Sequence, residues 1–214
     1  MKSKILLSCC MFFLSICILK AQDLQWKHFG NLLKARHYNN ALYLGNNEIL
    51  VSGGYINSKG TFIVNWSDAH LTGPPTRSCE IISLKDKTTR LTDSMSFARA
   101  EFPMLMTKDS NVVAISGINK EGATGELTPT VELYDRTTKR WEVIGNLIVP
   151  RRQHAAVFIN DEEIIITGGR NQDVSAISAA EIFNVTTGKS RLIAKFPAAY
   201  SGMIAQIASD GSIL

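Results

Sequence analysis

Trp26 to Arg36 reads W-K-H-F-G-N-L-L-K-A-R, and Trp141 to Arg151 reads W-E-V-I-G-N-L-I-V-P-R; the two match without a gap at Trp, Gly, Asn, Leu and Arg. Seventeen residues beyond each Arg stands a glycine pair, Gly53-Gly54 and Gly168-Gly169, and seventeen beyond Arg99 stands Ser116-Gly117. Three copies of one unit at a period of about 50 to 60 residues predict a repeat architecture, in which each unit buries its apolar face against its neighbours.

Within the units, short runs of Ile, Val, Tyr and Phe alternate with turn residues, which is a strand signal. The third unit predicts strands at His154 to Ile159, Glu163 to Thr167, Ala179 to Asn184 and Ser190 to Ala194. The second predicts them at Phe102 to Thr107, Asn111 to Ser116, Thr130 to Asp135 and Arg140 to Ile144. The first predicts them at Tyr38 to Leu44, Glu48 to Ser52, Ser78 to Leu84 and Thr88 to Thr92. Four antiparallel strands per unit make one propeller blade, so the fold class is all-β.

The second unit runs Ala114-Ile115-Ser116-Gly117, then Val131-Glu132-Leu133-Tyr134-Asp135, then Trp141 seven residues after Tyr134. Apolar residues leading to a glycine doublet, then Tyr, then Trp at that separation resemble the kelch repeat. The wording Glu-Leu-Tyr-Asp-x-x-Thr-x-x-Trp looks like that of exported bacterial kelch proteins. Gly53, Gly54, Gly117, Gly168, Gly169, Trp26, Tyr134 and Trp141 are then the structural signature of the repeat. Departures are Ile82 near the Tyr position of the first unit, Ser116 for a glycine, and Phe183 and Ser190 for Tyr and Trp in the third.

A leader precedes the repeats. Met1 to Gln22 opens with Lys2 and Lys4, runs apolar from Ile5 to Leu19, and has the small residue Ala21 at the cleavage point. This reads as a signal peptide over residues 1–21, with an uncleaved N-terminal anchor as the alternative. It predicts export to the periplasm, the cell surface or the medium, with no stable membrane span after cleavage. Cleavage removes Cys9, Cys10 and Cys17 and leaves Cys79 alone, which excludes a disulfide framework and a Cys-rich metal site. The formal charge of +4 comes from scattered Lys and Arg with no nucleic-acid patch.

The propeller region is expected over residues 22–214, with an outer strand at 25–29, blades at about 36–95, 99–146 and 151–196, and the start of another at 200–214. A shift of 49 residues carries Arg151 onto Tyr200, Asp161 onto Asp210 and Ile165 onto Leu214. Three blades and a fraction fall short of a closed ring, so the sequence is expected to be a piece of a larger one, of six blades by its repeat length.

Strand parity puts the loop between the second and third strands of a blade beside the linkers that join blades. Arg36, Arg99 and Arg151 sit in those linkers and are expected to ring one face near the channel. There they either bind a carboxylate, phosphate or acidic peptide, as the kelch resemblance implies, or satisfy linker carbonyls or pair with a neighbouring blade. His154 lies beside them. The long stretch from Tyr55 to Ser78 projects from the same face and either carries Trp66, suited to stacking on a sugar or an aromatic group, with Asp68 as a polar contact, or forms an extra hairpin over Phe62 to Trp66 that packs on the blade.

Together these predict a binding module for a protein or a glycan, with no cofactor and no metal. The alternative implied by the resemblance is an enzyme on the same scaffold, a copper oxidase with Tyr, His and a Cys linked to Tyr, or an epimerase acting on sugars such as sialic acid. Cys79 is the one possible start for the former, and no Tyr and His constellation accompanies it.

Overall fold

The computed structural model describes residues 28–56, 73–120 and 126–214. Three four-stranded antiparallel sheets follow one another along the chain. The first is ordered β2 (Asn40–Gly45), β3 (Glu48–Ser52), β5 (Cys79–Ser83), β6 (Thr88–Thr92). The second is β7 (Met104–Met106), β8 (Val112–Ile115), β9 (Thr130–Asp135), β10 (Arg140–Asn146). The third is β11 (Ala155–Phe158), β12 (Glu163–Thr167), β13 (Ala180–Asn184), β14 (Lys189–Ile193). Each is a blade, and their first strands adjoin, β7 touching both β2 and β11.

Why these runs are continuously apolar follows from what covers them. In β8, Val112 and Ala114 join a core with Leu50, Ile81 and Met104 of the first and second blades. Val113 and Ile115 point the other way, into a core with Ile164, Ile166 and Phe183 of the third. A sheet buried on both faces loses the polar half of the strand alternation, as sheets covered on both sides do.

The Tyr and Trp of the repeat are cross-strand partners: Trp141 lies opposite Tyr134, ring centroids 5.2 Å apart, and the Tyr134 hydroxyl shares a 2.7 Å hydrogen bond with Thr92 of the first blade. In the third blade the same register pairs Phe183 with Ser190, whose hydroxyl donates to Glu181 at 2.6 Å. The motif is eroded there, yet the pairing is kept.

The glycine pairs lie where the chain turns under the linkers. Gly54 and Gly169 have φ of 89° and 93°, and a Cβ on Gly54 would stand 2.7 Å from the His37 carbonyl oxygen. Ser116 holds the first position of its pair at φ 51° without being glycine. Its hydroxyl approaches the carbonyl oxygens of Thr128 at 2.7 Å and Arg151 at 2.9 Å and accepts the Arg151 N–H at 3.0 Å, which offsets the left-handed strain.

A small element absent from the sequence expectation joins linker to blade. β1 (Arg36–His37) pairs antiparallel with β4 (Tyr55–Ile56), the segment just after the first glycine pair. Single bridges from Ala100 to Ile118 and from Arg152 to Arg170 repeat it in the other blades. Linkers and the loops between second and third strands therefore share one face, as parity predicts.

The starts of the first strands and both ends of the repeat region differ from expectation. Tyr38 and His154, placed in first strands by their neighbours' hydrophobicity, precede β2 and β11, because the linker must turn before the strand begins. Residues 200–214 form no strand, but the Ala208 N–H donates to Ser212 C=O at 2.8 Å as Ile159 does to Glu163 at 2.9 Å, which keeps the 49-residue correspondence. Of the outer strand expected at 25–29, residues 28–29 are not strand, and the rest, with Trp26, lies outside the described residues.

Candidate functional site

The three repeat arginines occupy equivalent linker positions, with their side chains wholly buried. Each guanidinium pairs with a buried Glu on the third strand of its blade: Arg36 with Glu80, Arg99 with Glu132, and Arg151 with Glu181 at 2.8 Å. Each also donates to the carbonyl of the first residue of the glycine pair, Gly53, Ser116 or Gly168. The Glu carboxylates in turn accept linker N–H groups, those of Leu33 and Lys34, Ser96 and Phe97, and Ile148 and Val149. The arginines thus fasten each linker to its blade and reach no solvent. Most of the carbonyls they reach are the blade's, at the glycine pair and the entry to the third strand, with Val149 in the linker, and with no exposed surface the three are not placed to meet a ligand.

What faces the channel lies two residues further on. Tyr38, Glu101, Gln153 and Gly202 follow Arg36, Arg99, Arg151 and Tyr200 at the same interval, and all four are left-handed, with φ of 51°, 58°, 52° and 71°. They are joined by backbone alone. The Glu101 N–H donates to Tyr38 C=O at 3.1 Å, Gln153 N–H to Glu101 C=O at 2.8 Å, and Gly202 N–H to Gln153 C=O at 2.8 Å. This ladder borders an open cleft of about 460 Å³ between the first strands. One residue deeper, Asn39, Phe102, His154 and Met203 line it.

On the rim, Tyr38 is half exposed and meets His37 and Tyr55 at ring-centroid distances of 5.5 and 6.0 Å, while His37 stacks on Tyr55 at 5.2 Å. The Tyr55 hydroxyl donates to Glu101 Oε1 at 3.0 Å, and Arg152 Nη1 approaches Glu101 Oε2 at 3.4 Å. Burial, then the Glu101 charge, push the Tyr55 hydroxyl far up, so it stays a donor. Burial lowers His37, partly countered by Glu101. Arg170 Nε donates to the Gln153 side-chain oxygen at 3.2 Å. An aromatic group, a carboxylate and an amide thus meet on one rim, drawn from three linkers.

His154 is 5% exposed, and neither ring nitrogen has a hydrogen-bond partner. Burial, then the charges of Arg151 and Arg99, hold its pKa well below the usual histidine value, so it is neutral, with one donor and one acceptor. Trp66 and Asp68 lie outside the described residues. Cys79 is fully buried, and burial pushes its thiol up to about 11, which makes it an inert core residue. Among the described residues, no group of three or more His, Cys, Asp and Glu side chains is placed to hold a metal ion. Likewise among them, no helix is long and apolar enough to cross a membrane.

Of the residues that line this space, the sequence singled out His154 but not Tyr38, Glu101 and Gln153. Their signal was available in the repeat alignment, as the position two beyond each Arg.

No protein-family model matches the chain. Kelch-like protein 7 of the rat is 26% identical over 90 residues, 42% of this chain and 15% of that protein. Kelch repeat protein C2 of camelpox virus is 28% identical over 144 residues, 67% of this chain and 23% of that protein. The solved structure of YjhT superposes with a TM-score of 0.67 at 12% identity, over 82% of this chain and 57% of that one. The fold is that of a kelch β-propeller. The chain spans less than a quarter of the length of these curated kelch relatives. In kelch terms, the ladder marks the channel mouth on the linker face, and the Arg–Glu pairs lie behind it in the blade edges.

Proposed function

We propose that this kelch module is an exported, non-catalytic binding scaffold whose ligand, a protein or a glycan, seats on the linker face at the channel mouth. The observation that carries this reading is the ladder itself. Four equivalent backbone positions are held alike by hydrogen bonds, yet present Tyr38, Glu101, Gln153 and Gly202. A constant frame with unlike side chains is what a recognition surface on a rigid repeat scaffold needs. The exposed aromatic ring of Tyr38 supplies contact area at low entropic cost. The kelch relatives support a scaffold role. The leader supports export.

The test is selection of ligands for the full chain from a displayed peptide library and a glycan array, followed by affinity measurement on variants. Tyr38→Ala and Glu101→Gln are expected to weaken the selected ligand at least about tenfold, about 1.4 kcal/mol, with little change in melting temperature. Full affinity in both variants would place the ligand elsewhere and sink the reading.

A further inference from the structure

The structure assigns a second binding site, on the face opposite the linkers: a cleft between the turns of the first two blades takes a tetrahedral oxyanion, phosphate or sulfate, free or as a monoester.

Parity sends the turns between first and second strands, and between third and fourth, to that face. There the β2–β3 and β7–β8 turns meet the β9–β10 turn around a cleft of about 360 Å³. Leu44, Ile81 and Tyr134 supply its apolar lining. Its cations come from both blades, Arg90 from the first and Arg136 and Lys139 from the second.

Unpartnered donors on one wall call for an acceptor. A guanidinium carries five N–H donors and an ammonium three. Arg136 makes one side-chain contact among the described residues, Nη1 to the Ser110 carbonyl oxygen at 3.3 Å, which positions the group and leaves its other donors open. The Lys139 ammonium has no hydrogen bond or ion pair among those residues. Asn111 accepts the Arg136 backbone N–H on Oδ1 at 3.1 Å, which leaves its side-chain NH2 as a further donor. A tetrahedral oxyanion presents oxygens in several directions and so suits donors from three side chains, where a planar carboxylate suits a single fork.

The carboxylates nearby are held by other groups. Glu48 bonds Arg90 at 2.9 Å, Asp93 accepts the Trp141 N–H at 3.1 Å, and Asp135 accepts those of Thr137 and Thr138 at 2.7 and 2.9 Å. Asp109 is the remaining carboxylate of the lining, set against two cations without an acid of their own. Nor does the blade require those cations. The same turn positions hold Val185 and Gly188 in the third blade and Leu84 and Lys87 in the first. The second and third turns nevertheless close with one backbone bond, Lys139 N–H to Asp135 C=O at 2.7 Å and Gly188 N–H to Asn184 C=O at 2.9 Å. Arg136 and Lys139 are therefore additions to the scaffold rather than parts of it.

The test uses the ¹⁵N-labelled full chain with sodium phosphate, sodium sulfate, methyl phosphate and sodium acetate as probes, chloride balancing the ionic strength at about 0.1 M. Phosphate or sulfate is expected to shift the amides of Ser110, Asn111, Arg136 and Thr137 saturably. Arg136→Gln and Lys139→Gln should each weaken binding at least about threefold, whereas Asp109→Asn, which removes the opposing charge, should tighten it about twofold or more. Methyl phosphate binding as tightly as phosphate would support an ester group as the ligand, and weaker binding would support the free ion. Acetate binding as tightly as phosphate would overturn the tetrahedral class. Absence of saturable shifts, the same shifts from chloride, or unchanged affinity in all three variants would overturn the site. None of its residues lines the linker-face cleft, so its failure leaves the reading of the channel mouth untouched.

Discussion

His154 shows what one misplaced proton would do to this fold. In an unfolded chain its pKa is near 6.5, whereas burial and the charges of Arg151 and Arg99 hold it well below that in the folded protein. Above about pH 6.5 the imidazole is neutral in both states and costs nothing extra. As pH falls through that value the unfolded chain takes up a proton that the folded one refuses, so stability drops by up to about 1.4 kcal/mol per pH unit from this group. His37, lowered by burial, acts in the same direction. The equivalent residue in the second blade is Phe102, so His154→Phe fits a shape the repeat already uses. Urea unfolding at pH 7.5 and 5.5 is expected to show wild type losing on the order of 1 kcal/mol more than the variant. Identical losses would mean that the native imidazole titrates normally.

At the scale of an element, the linker is held by one carboxylate. Glu132 bonds Arg99 and also accepts the Ser96 and Phe97 N–H groups, so Glu132→Ala strands a buried guanidinium and two backbone donors together. A loss of about 3–5 kcal/mol is expected in chemical denaturation. The exposed Lys108–Asp161 pair is the control, its removal leaving the denaturation midpoint in place. A Glu132→Ala midpoint equal to wild type would show that the linker is held by something else. The same comparison explains what could be read in advance. The strands were legible because apolar runs and turn residues report burial directly, and β3, β6, β9 and β12 fall on their expected residues. The partner of Arg99 was not legible: Glu132 stands in a quoted motif, but only the fold shows that its carboxylate lies under a linker some 35 residues earlier in the chain. Tyr38, Glu101 and Gln153 were hidden for another reason. They are non-glycine residues in a left-handed turn, a conformation usually announced by glycine, and here it is bought by a neighbouring blade's hydrogen bond.

For the molecule as a whole, the second blade is the one sealed on both faces by described cores. Stability in a repeat array is a sum over units and their interfaces, so protection should be uneven. Amide hydrogen exchange is expected to be slower in Val112 to Ile115 than in residues 200–214, where Ile204 is 91% exposed. Uniform exchange across the three blades would contradict that ordering. The ladder at the channel mouth has a different consequence, one for engineering. Because its rungs are main-chain bonds, it already accommodates an aromatic, an acidic, an amide and a hydrogen side chain at four equivalent points. Positions 38, 101, 153 and 202 are therefore natural sites for a combinatorial library: their side chains can be rewritten together while the frame that presents them is left unedited.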